Sequence, residues 1–219
     1  MKSQYLHELV EAVISVLDAR DPYTYEHSER VALLSELIAR KMNLDESEIE
    51  LIHVAAHLHD IGKVGVPDFI LNKEGPLTKN EYNIMKSHSR LGYNIVKKIK
   101  LLEKTGPYIL HHHERWDGNG YPNRLKGENI PPGSRIIAVA DTFDTITSNR
   151  SYKKAFSIND AILEIERVRG TQLCPMAVDS FLSFKDELPE ILEELNRGIK
   201  HQVFLDEVDS LKLRSKILV

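Results

Sequence analysis

The 219-residue chain has one cysteine, Cys174, which excludes a disulfide framework and any thiolate zinc site. It also lacks a long apolar run. Each longer apolar stretch is interrupted by charge, and no apolar h-region follows the N-terminus, so a cytoplasmic protein with no membrane span is expected. Positive charge is not in excess: 29 Lys and Arg face 33 Asp and Glu, a formal net charge of −4. That balance argues against a general coat for DNA or RNA, so an anionic ligand would need a local basic site or bound metal. No internal repeat and no low-complexity segment breaks the pattern.

What is present is mostly helical periodicity. Apolar residues recur three or four apart at Leu6, Leu9, Val10, Val13 and Leu17. After Asp21-Pro22 they recur at Val31, Leu34, Leu37, Ile38 and Met42. The Asp45-x-x-Glu48 spacing resembles a capping box and predicts a third helix to about His59, ended by Gly62, Gly65 and Pro67. Thr78 and Glu81 repeat the pattern ahead of one helix to about Lys100, and Ser157 with Asp160 opens another, closed by Gly170. Trp116 to Gly133 is too rich in Gly and Pro for a helix; it reads as a structured loop of about 18 residues, a length usually functional inside a compact domain. Arg135 to Asp144 could pass for a buried strand, but the Pro131-Pro132 start suits a helix and the neighbouring segments are helical. Leu188, Ile191, Leu192, Leu195, Ile199, Val203 and Phe204 suggest a C-terminal helical extension. The expected architecture is an all-α bundle.

Among the ten histidines, arrangement matters more than number. His27 lies on the second helix; then come His53, His57 and His59-Asp60, His88, His111-His112-His113-Glu114, and Asp141. Imidazole and carboxylate without thiolate suit Fe, Mn, Co, Ni or Zn far better than Ca. A single histidine on an amphipathic helix is ordinarily a packed or solvated residue, so the combination carries the argument. Periodicity leaves the ligand set open. On an ideal helix His53, His57 and Asp60 share a face at i, i+4 and i+7, while His59 points about 100° from Asp60. Adjacent His59 and Asp60 can also serve one ion where a helix ends and the metal lies beyond its last turn, and Gly62 makes such an ending plausible.

Several strings resemble a known family. Leu58-His59-Asp60-Ile61-Gly62-Lys63, with Val66-Pro67-Asp68 and Ile70-Leu71-Asn72-Lys73, resembles the HD domain of metal-dependent phosphohydrolases. His112-His113-Glu114-Arg115-Trp116-Asp117-Gly118-Asn119-Gly120-Tyr121-Pro122 looks like the signature of the HD-GYP subfamily. His27-Ser28-x-Arg30-Val31, Ile130-Pro131 with Arg135-Ile136, Asp141-x-x-Asp144 and Arg150-x-Tyr152-Lys153 extend the match in order from about residue 15 to 185. The long string is highly specific; His-Asp alone is not.

The resemblance implies an HD-domain helical bundle over residues 1–185, with 186–219 as the helical extension, and a role in cyclic di-GMP hydrolysis. Carried over by position, the implied metal ligands are His27, His59, Asp60, His88, His112, His113 and Asp141. One ion would take His27, His59, Asp60 and Asp141; the other would take His88, His112 and His113, with Asp60 bridging. Some members hold a third metal with a carboxylate four residues before the first histidine. Tyr23 stands there, so two divalent transition metals are expected, Fe or Mn first, with Zn, Co or Ni also compatible. A metal pair and its bridging hydroxide suit in-line displacement at a phosphodiester, with Asp60 and Lys63 as the catalytic groups.

Lys63, one turn from Asp60, can place its ammonium on a phosphate oxygen; its plain alternative is a solvated lysine. Arg150 and Lys153, at i and i+3, would contact ligand phosphates by resemblance, and Arg's planar fork suits that role; a solvated charged face is the alternative. Gly120 and Pro122 would fix a turn that presents Tyr121 to a guanine or phosphate. Glu114 and Asp117 would support the loop, and Asp144, sharing Asp141's helical face, would position a ligand or a basic residue. His7, His53 and His201 have no counterpart in the motifs. His57 stands where related sequences carry an apolar residue and could pack beside the site, and His111-His112 is an alternative register for the histidine pair.

The implied activity is opening of cyclic di-GMP to pGpG, and slowly on to GMP. Hydrolysis of another cyclic dinucleotide or nucleotide is one alternative. A catalytically silent module that binds the ligand or docks on a signalling partner is another, which loss of a ligand residue would favour; none is missing. Few residues precede the match, so the chain reads as a stand-alone enzyme or a piece of a longer one, and its amphipathic ends could pair two subunits or pack on their own core.

Overall fold

The apolar stripe of Val31, Leu34, Leu37 and Ile38 becomes the buried face of helix α1 (Thr24–Lys41). The computed structural model describes residues 24–148 and 155–202. Along it follow α2 (Glu46–His57), α3 (Asp68–Leu71), α4 (Lys79–Lys86), α5 (His88–Val96), α6 (Gly106–His111), α7 (Pro132–Thr147), α8 (Ile158–Val168), α9 (Pro175–Leu182) and α10 (Leu188–Gln202). Among the described residues there is no strand, only an isolated bridge between Arg169 and Leu173. None of their helices is long and apolar enough to cross a membrane. The expected helix over residues 5–18 and the chain beyond Gln202 lie outside the described residues.

Helices α1, α2 and α7 pack against one another and bury Ile38, Ile52, Ile136, Val139 and Phe143 between them. Phe143 meets Phe181 at a ring-centroid distance of 5.0 Å, and Phe181 meets Phe184 at 5.5 Å, so α9 joins the same core. Leu188, Ile191 and Leu195 of α10 are buried there too. The core therefore lies on one side of α1 and α7, and α5, α6 and their connections cover the polar end.

Caps set several boundaries. Asp45 accepts from Glu48 N at 3.0 Å, but Glu48's carboxylate turns to the Tyr108 hydroxyl, so only half of the expected box forms. Thr78 and Glu81 form both halves, at 3.3 and 2.7 Å, and Ser157 accepts from Asp160 N at 3.1 Å. Such caps are worth about 1 kcal/mol each.

Three boundaries differ from the sequence reading, and two of them shape the polar end. Helix α2 ends at His57, not at His59; a 3₁₀ turn, Ile61–Gly65, follows, held by Ile61 N to Leu58 O (3.0 Å) and Lys63 N to Asp60 O (2.9 Å). The helix expected from Thr78 to Lys100 divides at Ser87, whose hydroxyl donates to Ile84 O at 2.6 Å and competes with the main-chain ladder. His88 thereby opens a new helix. The long loop ends at Pro131, leaving Gly133 inside α7, and contains the 3₁₀ turn Gly127–Asn129.

The Ile61–Gly65 turn packs backbone to backbone on α5. A Cβ at Gly62 would lie 1.8 Å from His88 O and 2.5 Å from Gly92 N, a clash that only main-chain movement can relieve. Gly62→Ala is therefore expected to cost about 3 kcal/mol of stability or more. Urea unfolding of wild type and variant measures it; an unchanged midpoint would contradict so close an approach.

Candidate metal centre

Five segments deliver polar side chains to one interior site. α1 supplies His27, the turn after α2 supplies His59 and Asp60, and the start of α5 supplies His88. The residues just after α6 supply His112 and His113, and α7 supplies Asp141 and Asp144. His27, His59, Asp60, His88, His112 and Asp144 are all buried; His113 and Asp141 are partly so.

The same local device orients three of the imidazoles. His59, His88 and His112 each donate from Nδ1 to the carbonyl three residues earlier, Ala56 (2.6 Å), Met85 (2.7 Å) and Ile109 (2.6 Å). His27 donates instead to Asp144 Oδ2 at 2.7 Å. With Nδ1 satisfied, each Nε2 faces the interior. His27 and His59 Nε2 stand 3.3 Å apart, as do those of His88 and His112.

The donors form two groups, His27–His59–Asp60 and His88–His112–His113, each with its ligand atoms within 4.8 Å of one another. Asp60 reaches both. Its Oδ2 lies 3.3 Å from His59 Nε2 and 3.9 Å from His27 Nε2, while Oδ1 lies 3.5 Å from His88 Nε2. Asp141 Oδ1 is 3.5 Å from His27 Nε2, and Lys63 Nζ stands 2.6 Å from Asp60 Oδ2.

Charge is distributed to suit cations. Burial would raise the Asp60 carboxyl, but Lys63 and then His59 hold it well below its ordinary value. Asp141 is likewise lowered against its burial by His59, His27 and His113. Burial depresses His88 and His112, and takes His113, with help from His88, down to about 3. These three rings are neutral at neutral pH, with lone pairs available. His59 moves up, because Asp60 outweighs its burial.

The residues fit metal ions. Two imidazole nitrogens bound tetrahedrally to one ion at about 2.0–2.1 Å lie about 3.3 Å apart. Facing imidazole lone pairs at that spacing would otherwise repel. Nδ1 partners of this kind fix ring tautomers in metal sites.

The loop after the histidine pair is folded onto the centre. Glu114 accepts from Asn123 N (2.7 Å) and Leu125 N (3.0 Å). Asp117 is gripped by Arg115 at 2.7 and 3.1 Å and accepts from Asn119 N at 2.9 Å. A Cβ at Gly120 would lie 2.3 Å from Arg115 N, so the chain doubles back there without room for a side chain. Tyr121 N donates to His113 O at 3.2 Å, and the two rings lie 4.8 Å apart. Pro122 follows, partly buried, in the same turn.

His53 and His57 sit elsewhere. Their Nε2 atoms face each other at 3.0 Å, with Glu36 3.1 Å from His53 Nδ1 and Glu29 3.5 Å from His57 Nδ1, in a separate buried cluster between α1 and α2. His111 faces Glu114 at 3.5 Å, so it is His112 and His113 that turn inward. His7, Tyr23, Arg150 and Lys153 lie outside the described residues, as does the side chain of His201. Another supporting residue lies in the His27-Ser28-x-Arg30 string. Arg30 meets Asp144 Oδ1 at 2.5 Å and Ser148 Oγ at 3.1 Å. Its separation from Asp144 by 114 positions leaves no local signal.

Comparison with known proteins places the chain among relatives. The family model described as HD domain matches residues 11–175. A cyclic di-GMP phosphodiesterase of Thermotoga maritima is 41% identical over 189 residues, covering 85% of this chain and 51% of that protein. A cyclic di-GMP phosphodiesterase response regulator of Xanthomonas campestris is 38% identical, covering 84% and 49%. A 3'3'-cGAMP-specific phosphodiesterase of Vibrio cholerae is 40% identical, covering 86% and 36%. The chain thus spans about half, or less, of the length of these curated relatives. Among solved structures, a cyclic GMP-AMP specific phosphodiesterase of V. cholerae superposes with a TM-score of 0.65 at 22% identity, over 96% of this chain and 59% of that one. The HD domain of the L. monocytogenes phosphodiesterase PgpH, in complex with cyclic-di-AMP, gives 0.59 at 18%, over 90% and 99%. These two show a shared fold.

Asp144 links the helices that carry His27 and Asp141. Burial would raise its carboxyl, but the His27 hydrogen bond and Arg30 bring it to about 2. Asp144→Asn removes the charge that orients His27, and a 10–100-fold loss of metal affinity is expected. Competition with a chromophoric chelator measures it; unchanged affinity would show that His27 does not depend on this anchor.

Proposed function

Because the chain belongs to the HD-domain family, whose phosphohydrolases depend on metal, we propose that it hydrolyses cyclic di-GMP to pGpG, and more slowly to GMP. One observation carries this reading: a single buried carboxylate, Asp60, stands between two groups of inward-facing imidazoles. The relatives named as cyclic di-GMP phosphodiesterases support it.

The proposed ligands are His27, His59, Asp60 and Asp141 for one ion and His88, His112 and His113 for the other, with Asp60 shared. A divalent pair, Fe or Mn in our proposal, supplies Lewis-acid activation of water and neutralises phosphate charge. The remaining work falls to the chain. Asp60 stays ionised beside Lys63, so its oxygens remain acceptors. Lys63, near Asp60 and partly exposed, can meet a non-bridging phosphate oxygen. Glu114 and Asp117 brace the loop that presents Tyr121 beside His113. Arg150 and Lys153 are proposed to contact the ligand phosphates. We take residues 1–185 as the catalytic unit and 186–219 as an extension. We further propose a cytoplasmic location, with a homodimer or a signalling partner as the route of regulation.

A second substrate reading has its own support, since a relative of nearly equal identity is named for 3'3'-cGAMP.

Protein loaded with Fe(II) or Mn(II) should convert cyclic di-GMP to pGpG, resolved by chromatography, and hold about two metal ions per chain. Asp60→Ala should lower turnover on the order of a thousandfold. No product with Fe, Mn or Co would leave a silent binding module in place of the enzyme. A third ion would overturn the argument from Tyr23.

A further inference from the structure

A row of side chains leads from the centre to the surface, and only its first member has a part in the reading above. Tyr121 lies beside His113 and is partly buried. Lys86, the last residue of α4, holds its ammonium 5.8 Å from the Tyr121 ring centroid and 5.0 Å from that of Tyr82, one turn earlier on the same helix. Tyr82 is 49% exposed. Among the described residues Lys86 forms no ion pair, unlike Lys63 and Lys73, whose ammonium groups face Asp60 and Glu81.

This is the chemistry of a nucleobase wall. An exposed tyrosine face offers a base a stacking surface, worth about 1–3 kcal/mol per base. An ammonium held over such rings can select among bases by the acceptors that a base edge presents. Guanine presents O6 and N7 as adjacent acceptors, whereas adenine pairs its N7 acceptor with an N6 amino donor that an ammonium cannot satisfy. Lys63 already places a cation at Asp60. Lys86 is held near two ring faces, a setting that suits a planar base better than a tetrahedral phosphate. Overall identity does not separate the candidate bases either, since relatives of almost equal similarity are named for cyclic di-GMP and for 3'3'-cGAMP. A local determinant is required.

We propose that Tyr82, Lys86 and Tyr121 form a guanine-selective subsite beside the His88–His112–His113 end of the centre. Tyr82 stacks on the base, and the Lys86 ammonium donates to guanine O6 and N7. The assignment rests on the cyclic dinucleotide reading and deepens it by naming the groups that choose the base.

The test uses the full, metal-loaded chain as wild type, Lys86→Met, Tyr82→Ala and Tyr82→Phe. Titration calorimetry with GMP and with AMP reads the base preference without diester cleavage. Wild type should bind GMP about tenfold more tightly than AMP, and Lys86→Met should abolish that difference. Tyr82→Ala should weaken both nucleotides about tenfold, and Tyr82→Phe should retain both. In turnover of cyclic di-GMP, the loss in Lys86→Met should fall on KM rather than kcat. Equal weakening of GMP and AMP by Lys86→Met would place the ammonium on phosphate and overturn the subsite, as would no effect at all. If wild type turns over no cyclic dinucleotide, the enzymatic reading fails, while the calorimetry still decides the base preference.

Discussion

Where the Gly62 backbone meets the carbonyl of His88, two distant chain segments touch with no side chain between them. That contact holds the turn bearing His59 and Asp60 against the start of α5. It lets one oxygen of Asp60 lie 3.5 Å from His88 while the other lies 3.3 Å from His59. The rest of the centre depends on this sharing. A methyl group at Gly62 would have to push the two backbones apart, and the turn that carries Asp60 away from His88 with them. Core packing of α1, α2 and α7 supplies the rigidity behind it, since close-packed helices shift little to relieve strain.

So many polar groups can be buried together because nearly every one has an assigned partner. An isolated interior carboxylate would protonate rather than remain charged. Asp60 has Lys63, His59 and His88; Asp144 has His27, Arg30 and Ser148. His59, His88 and His112 spend Nδ1 on carbonyls and keep Nε2 for the interior. The His53–His57 pair follows the same rule in another place. Glu36 and Glu29 on α1 draw those rings toward α1, away from the centre.

Much of the fold was legible because helical periodicity and caps are local. The stripes of α1 and α2, the Thr78–Glu81 box and the Ser157 cap all emerged where the spacing put them. The errors fell where a helix stops. Periodicity carried α2 through to His59, and only the 3₁₀ turn at Ile61–Gly65 shows why adjacent His59 and Asp60 can point at one space. The break at Ser87 was hidden too, because Ser tolerates helical geometry and only its bond to Ile84 O marks the division. Neither Arg30's grip on Asp144 nor Lys86's approach to Tyr121 has a sequence signature, as both join residues far apart along the chain.

By itself, the sequence determined the residue types that can bind metal, the all-α pattern and, through the long His-His-Glu to Tyr-Pro string, the family. These are properties of composition and local order. Only the tertiary structure decided which histidines face one another, that Asp60 spans two groups, and that His53 and His57 stand apart. A helical period states which face a side chain occupies, but not where the helix ends or what packs against that face. At His59-Asp60 the helix end settles the matter, because two neighbours pointing apart on a helix converge once the chain turns beyond it.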